Sequence, residues 1–219
     1  MKSLTMLAVL VALPLAASAQ DAAKVDPHHY KVLVDNATVR ILKVTYGAGE
    51  KSPMHSHPDA MLVPLTAAKV RFVMPDGKSE DLELTAEVAN YTPAFTHAPV
   101  NIGGPVDAIL VEIKPKTGAA ATLTTARPGM AMKMLAEGAG AVAYRSTLAA
   151  DFHEAPGSTH DFGQVVVALA AGDMMLAVEG QPATSKWKRG DAYFIGPGVK
   201  HESKNTSGKP VEAVIVILK

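Results

Sequence analysis

The stretch KSPMHSHPDAMLVPL, residues 51–65, sets two histidines, His55 and His57, around a single serine and just ahead of an apolar run. Side chains two apart on a β-strand leave the same face. If the stretch is extended, both imidazoles aim at one point and Ser56 turns away. Met61, Val63 and Leu65 continue that parity and are expected to line the same interior, with Pro58 as the one interruption. A third imidazole from a distant strand would complete a facial triad, and His97 is the candidate. Three neutral imidazoles suit one divalent transition metal, with Fe, Zn, Mn, Ni and Cu all compatible. Asp59, two residues past His57, is the nearest carboxylate. It is a further ligand candidate, although its place beside Pro58 equally suits an aspartate that caps a turn. The chain has no cysteine, which removes thiolate ligands, cysteine nucleophiles and disulfides.

The elements that must position these residues read as strands. ATVRILKVTY (37–46) alternates and is rich in β-branched residues. AKVRFVM and SEDLELT flank Pro75-Asp76-Gly77-Lys78, where the Asp-Gly pair predicts a hairpin. VDAILVEIK (106–114) closes this first set. PKTGAAATLTTARPGM (115–130) is small, polar and bracketed by prolines, and reads as a linker. AMKMLAEG (131–138) fits a short helical turn or an extended arm.

The pattern then recurs. GPVDAILVEIK from Gly104 matches KPVEAVIVILK from Lys209 at an offset of 105, and His97-x-x-x-Asn101 matches His201-x-x-x-Asn205 at 104. HPDAMLVPL from His57 matches HDFGQVVVAL from His160 at 103. The order is kept and the offset drifts by only two residues, which indicates a tandem duplication. The halves are placed at 28–115 and 131–219, joined by a linker at 116–130. Each has about eight short strands, and a chain of that kind must close its sheet edges. The predicted fold class is all-β, two tandem β-barrels of jelly-roll type. An immunoglobulin-like sandwich is the alternative, but it would lack its usual cysteine pair and would leave the histidines unexplained.

On these residues the sequence resembles the cupin superfamily, and in its doubled form a bicupin. The family's first motif is a glycine, five residues, HxH, then a glutamate after three or four more. Gly49, His55 and His57 fit it. The second motif has a histidine, three residues and an asparagine, met here by His97 and Asn101 with Pro93 upstream. The resemblance implies two cupin-type barrels (double-stranded β-helices) and a metal in the N-terminal one, held by His55, His57 and His97. Some three-histidine members of the family are thiol dioxygenases. A dioxygenase-like, metal-dependent enzyme on a small molecule is therefore the implied activity. A non-catalytic metal or small-molecule binding or sensing protein is the alternative.

Two departures from the pattern matter. The glutamate position falls on Met61 or Leu62, so that carboxylate is missing. In the second half Ser158 stands where His55 does, Gln164 takes the glutamate position and His201 the second-motif one. His160, Gln164 and His201 are thus expected to converge as a degenerate second-barrel pocket, polar or vestigial, with His153 as a substitute ligand. Among the remaining residues, Asp59 and Tyr91 are the nearest acid–base candidates for the first barrel. His28 and His29 are expected at an edge, Asn101 and Asn205 as turn-fixing residues, and Trp187 as a half-exposed strand residue.

The N-terminus, MKSLTMLAVLVALPLAASAQ, has a basic start, a short apolar core and Ala17-Ser18-Ala19 before Gln20. This reads as a signal peptide, residues 1–19, and implies a periplasmic or secreted protein with no membrane attachment after cleavage. Its removal takes Lys2 and no acid, leaving 20 basic against 21 acidic side chains. Nucleic acid would need a basic face, of which composition gives no sign. The expected partner is a small-molecule ligand. A homo-oligomer is compatible with the sequence, which does not set its assembly.

Overall fold

The structure is a computed structural model and describes residues 20–114 and 127–219. The leader expected at 1–19 and most of the expected linker lie outside the described residues. After a one-turn helix, α1 (Ala22–Val25), the first half is built of β1 (Tyr30–Asp35), β2 (Val39–Tyr46), β3 (His55–His57), β4 (Ala60–Pro64), β5 (Ala68–Val73), β6 (Ser79–Leu84), β7 (Asn90–Thr92), β8 (Phe95–Asn101) and β9 (Val106–Ile113). The second half has β10 (Met130–Glu137), β11 (Ala141–Leu148), β12 (His153–Ser158), β13 (Gln164–Ala168), β14 (Met174–Val178), β15 (Ala192–Ile195), β16 (His201–Asn205) and β17 (Val211–Leu218). No helix among the described residues is long and apolar enough to cross a membrane.

Each half is a pair of facing antiparallel sheets. The first half has β1-β2-β9-β4-β7 against β3-β8-β5-β6; the second has β10-β11-β17-β13-β15 against β12-β16-β14. The five-stranded sheets share one plan, with the first strand on the second, the second on the last, and the last on the strand that follows the metal motif. The duplication seen in the sequence is thus a duplication of topology, and the fold is two tandem cupin-type barrels.

The near-continuous apolar character of β9 and β17 has a direct cause. Such runs arise where a strand is buried on both faces. In β9, Ala108 and Leu110 face the first barrel's interior, while Ile109 and Val111 face out. The outward set joins Met61 and Val63 of β4 and packs against Val165, Val214 and Val216 of the second half. The two barrels therefore share a hydrophobic core between their five-stranded sheets.

This packing corrects two expectations and decides a third point. Met61, Val63 and Leu65 do not line the first barrel but sit in the core between barrels. The parity counted from His55 and His57 fails because β3 and β4 belong to opposite sheets, and the chain changes sheet at Pro58-Asp59. Leu62 is the residue that faces the interior. Of the two forms open to AMKMLAEG, it takes the extended one, forming the edge strand β10 on β11. Trp187 is buried beneath the second barrel's strands, not half-exposed.

Candidate metal centre

β3 pairs antiparallel with β8, and His55 lies directly opposite His97. His57, two residues along β3, shares their face. All three rings are buried, and one nitrogen of each lies within 4.8 Å of the others. The surrounding groups fix the ring orientations. The Nδ1–H of His55 donates to the Pro53 carbonyl at 2.8 Å, and His57 Nδ1 donates to Glu112 Oε1 at 2.7 Å. Carbonyls and carboxylates only accept, so in the neutral rings Nε2 of each carries a lone pair directed at the site. His55 Nε2 and both ring nitrogens of His97 are buried without a hydrogen-bond partner. Orphaned buried nitrogens of this kind are costly in a folded chain unless something binds them. Burial, and then repulsion from His57, pushes His55 down to about 4. Burial, followed by His57 and His55, pushes His97 down to about 2. Both rings are held neutral, the form that ligates a metal. The residues present fit one divalent transition metal bound by His55, His57 and His97.

Glu112 is a residue the motif reading missed. It lies on β9 with the same parity as Ala108 and Leu110, so its carboxylate points into the barrel, where it is fully buried. Arg40 Nε donates to its second oxygen at 2.6 Å, and Arg40 also pairs with Asp21. The sequence held a signal for it: one charge inside the apolar strand VDAILVEI, at a position where the second half has Ile217. A carboxylate behind a ligating histidine fixes its tautomer and raises its basicity.

The imidazoles border a cavity of about 70 Å³ whose walls include Leu62, Val70, Phe72, Leu84 and Phe95. Leu62 occupies the wall where the family pattern would put its glutamate. Tyr30 and Tyr46 supply hydroxyls. The Tyr46 and Tyr30 hydroxyls are hydrogen-bonded at 2.9 Å, and Tyr30 packs edge-on against His55 with ring centroids 4.9 Å apart. Behind them runs a chain of polar contacts: Tyr46 to Ser52 at 2.5 Å, Ser52 to Asp26, Asp26 to His29 at 2.6 Å, and His29 to Glu50 at 3.2 Å. His29 is therefore a buried member of a network, stacked on Tyr46, and not an edge residue; His28 is exposed. Burial, reinforced by Tyr46, drives Tyr30 well above the ordinary tyrosine range, so it stays a neutral donor.

The other sequence candidates lie elsewhere. Asp59 is outside the histidine cluster, because its two oxygens accept from Tyr91 Oη at 2.7 Å and from the Ala94 N–H at 2.8 Å. It caps the turn through which the chain changes sheet, and Tyr91 is tied to it there. Asn101 binds the Gly47 and Gly104 carbonyls, and Asn205 those of Ala149 and Lys209, as expected of turn-fixing residues.

In the second barrel, Ser158 lies opposite His201 just as His55 lies opposite His97. His160 and His201 do converge, with ring centroids 4.7 Å apart. Gln164 is buried nearby, and its amide oxygen accepts from Arg127 Nη2 at 2.8 Å. His153 is exposed and turned to Glu202. Two charged residues that sequence reasoning missed enter this pocket. Glu154 lies 3.3 Å from His160 Nε2 and 3.6 Å from His201 Nε2, and Arg127, from the expected linker, approaches Glu154 at 3.4 Å. Spacing gave no hint of either, since Glu154 corresponds to Lys51 in the first half.

No family model matches the chain, and no curated protein matches its sequence. Solved structures do match its shape. AerE from Microcystis aeruginosa superposes with a TM-score of 0.63 at 12% identity, covering 87% of this chain and 97% of AerE. A salicylate 1,2-dioxygenase from Pseudaminobacter salicylatoxidans gives 0.62 at 12% identity, covering 86% and 76%. A cupin 2 conserved barrel domain protein from Leptotrichia buccalis gives 0.55 at 9% identity, covering 87% and 88%. At these identities the likeness is one of fold.

Proposed function

We propose that the chain is an exported, metal-dependent, dioxygenase-like enzyme acting on a small oxygen-bearing molecule in its N-terminal barrel. The observation that carries this reading is the meeting of three buried imidazoles with free nitrogens at a cavity whose walls are otherwise mainly apolar and aromatic. His55, His57 and His97 would hold one divalent metal. Bound there, it would supply Lewis-acid polarisation of a substrate oxygen and open coordination positions. Phe72, Phe95 and Leu84 suit the apolar, preferably planar body of such a molecule and keep water from it. Tyr30 supplies the polar group that the motifs lack. Ser52 gives its hydrogen to Asp26 and Tyr46 gives its own to Ser52, so Tyr30 donates to Tyr46 and its oxygen is left to accept from a cavity occupant. The fold shared with a salicylate dioxygenase supports the reaction class. The sequence of residues 1–19 supports export.

A non-catalytic binding or sensing role is the second reading. It is favoured by one observation: Glu112, the carboxylate beside the cluster, is committed to His57 and Arg40 and is not free to serve as a base.

The deciding experiment pairs metal analysis with oxygen uptake. Untagged protein should carry metal that His57→Ala loses; equal metal in both, or none, would overturn the reading. Metal-dependent oxygen consumption with a panel of small hydroxylated aromatic acids and thiols identifies the enzyme. Ligand binding without uptake identifies the binder. N-terminal sequencing of exported protein should begin at Gln20, and a chain that retains residues 1–19 would overturn cleavage.

A further inference from the structure

Glu154 reaches the second barrel's interior through a local irregularity in β12. Glu154 pairs with Ser203 and Ser158 with His201, so four residues on β12 span what two span on β16. Gly157 takes up the extra turn with φ +84°, a left-handed conformation that favours glycine. Residues facing each other across an antiparallel pair share a face. Glu154 is therefore on the face of Ser203, and Ser203, two residues from His201, is on the face of that histidine. In the first half β3 is too short to offer such a residue.

The groups around this carboxylate are arranged as around a ligand. Ser203 Oγ donates to Glu154 Oε2 at 2.6 Å, and the Val199 carbonyl accepts from His201 Nδ1–H at 3.1 Å. His201 Nε2 is therefore, in the neutral ring, a lone pair. His160 Nε2 and His201 Nε2 both lie beside the carboxylate without a hydrogen-bond partner, and the His201 side chain is 0% exposed. The His201 lone pair and the carboxylate face one point, beside the second imidazole, and repel unless a proton or a metal cation lies between them. The three ligand atoms fall within 4.8 Å of one another, the same limit that holds for the first barrel's triad. The adjoining cavity, about 20 Å³, has room for an ion or a water and little more.

We propose that the C-terminal barrel holds a second divalent transition metal, bound by Glu154, His160 and His201. Two histidines and one carboxylate are a recognised ligand set for such ions. The serine in place of a histidine and the amide in place of a glutamate do not end metal binding in this half. They move the carboxylate from the strand after the histidines to the strand before them. Arg127, 3.4 Å from Glu154, stands beside the site and closes it from the side of Gln164 and Phe162. With so little room, this centre would be structural or regulatory, and the substrate would stay in the first barrel. The proposal does not depend on the reading of the first barrel.

The test is metal stoichiometry on the full chain, stripped with chelator, reloaded with Co(II) or Mn(II) and dialysed, for wild type, His57→Ala and Glu154→Gln. Expected are about two equivalents in the wild type and one in each variant, with His160→Asn repeating the loss should Glu154→Gln fold poorly. The Co(II) absorption bands lost in the two single variants should differ. One wild-type equivalent, lost in His57→Ala and kept in Glu154→Gln, would overturn this centre and leave the first intact. One equivalent lost only in Glu154→Gln would support it and overturn the first. A second equivalent that appears only in Arg127→Met would also overturn it, because the guanidinium would then be the cation that fills the site.

Discussion

His57 and Glu112 are joined by a 2.7 Å hydrogen bond between two buried groups that lie 55 residues apart in the chain. The bond fixes which nitrogen of His57 faces the cavity, and Arg40 holds the carboxylate in place from the other side. Replacing Glu112 by Gln keeps the shape but removes the charge behind the imidazole. Metal affinity at the first barrel should fall by about 10–100-fold. Competition titration with a chromophoric chelator measures this, and unchanged affinity would show that the carboxylate serves only Arg40.

The wall opposite the histidines makes a second prediction. Leu62, not Met61, faces the interior, so Leu62→Glu should add a carboxylate ligand that Met61→Glu cannot. The metal-free Leu62→Glu chain should be less stable by roughly 2–5 kcal/mol, the cost of a buried polar group without a partner. Metal should restore that loss and bind more tightly than in the wild type. Urea denaturation with and without Mn(II) reads both effects. A variant that metal does not rescue would place residue 62 out of reach of the ion.

Much of this was legible in the sequence because it depends on local periodicity or on matched blocks. The duplication and the all-β class follow from matched blocks and periodicity, and the His55–His57–His97 grouping from strand parity together with the family resemblance. What stayed hidden depends on which sheet a strand joins. Counting parity through Pro58 assigned Met61, Val63 and Leu65 to the wrong side, because the chain changes sheets there. Glu112 showed as a charge within an apolar strand, but its partner is set by β9 crossing behind β3. Glu154 had no signal, because its inward turn comes from an irregularity in β12 that pairing with β16 reveals. Trp187 was misjudged because its two flanking lysines suggested a surface that its ring does not share.

The acid side of the stability curve follows from His55 and His97. Unfolded imidazoles take up a proton near pH 6.5. In the folded, metal-free chain burial holds His55 down to about 4 and His97 to about 2. Between those values and 6.5 the unfolded chain binds protons that the folded chain refuses. Stability should therefore be full above pH 6.5 and be lost as pH falls toward 4. Urea midpoints of chelator-treated protein at pH 7.5 and 5 measure the slope, and His97→Gln should flatten it. A midpoint that holds or rises on acidification would contradict the buried, neutral state of these rings.

The contact between the halves is tested at Gly138. It lies in the turn between β10 and β11, with its N–H donating to the Ala141 carbonyl at 2.9 Å. A Cβ there would fall 2.1 Å from ring atoms of Tyr91, on the β7 strand of the other half. The constraint is one of space and not of backbone conformation, since the clash reaches the ring near its attachment, at Cγ, 2.4 Å away. Gly138→Ala should therefore destabilise the chain by about 1–3 kcal/mol, the usual cost of overpacking. Tyr91→Ala removes the obstacle, so the second substitution should cost less in the Gly138→Ala background than in the wild type. A double-mutant cycle of urea midpoints reads this coupling. Strict additivity would mean that the turn moves aside and that the barrels are held together by their shared sheet core alone.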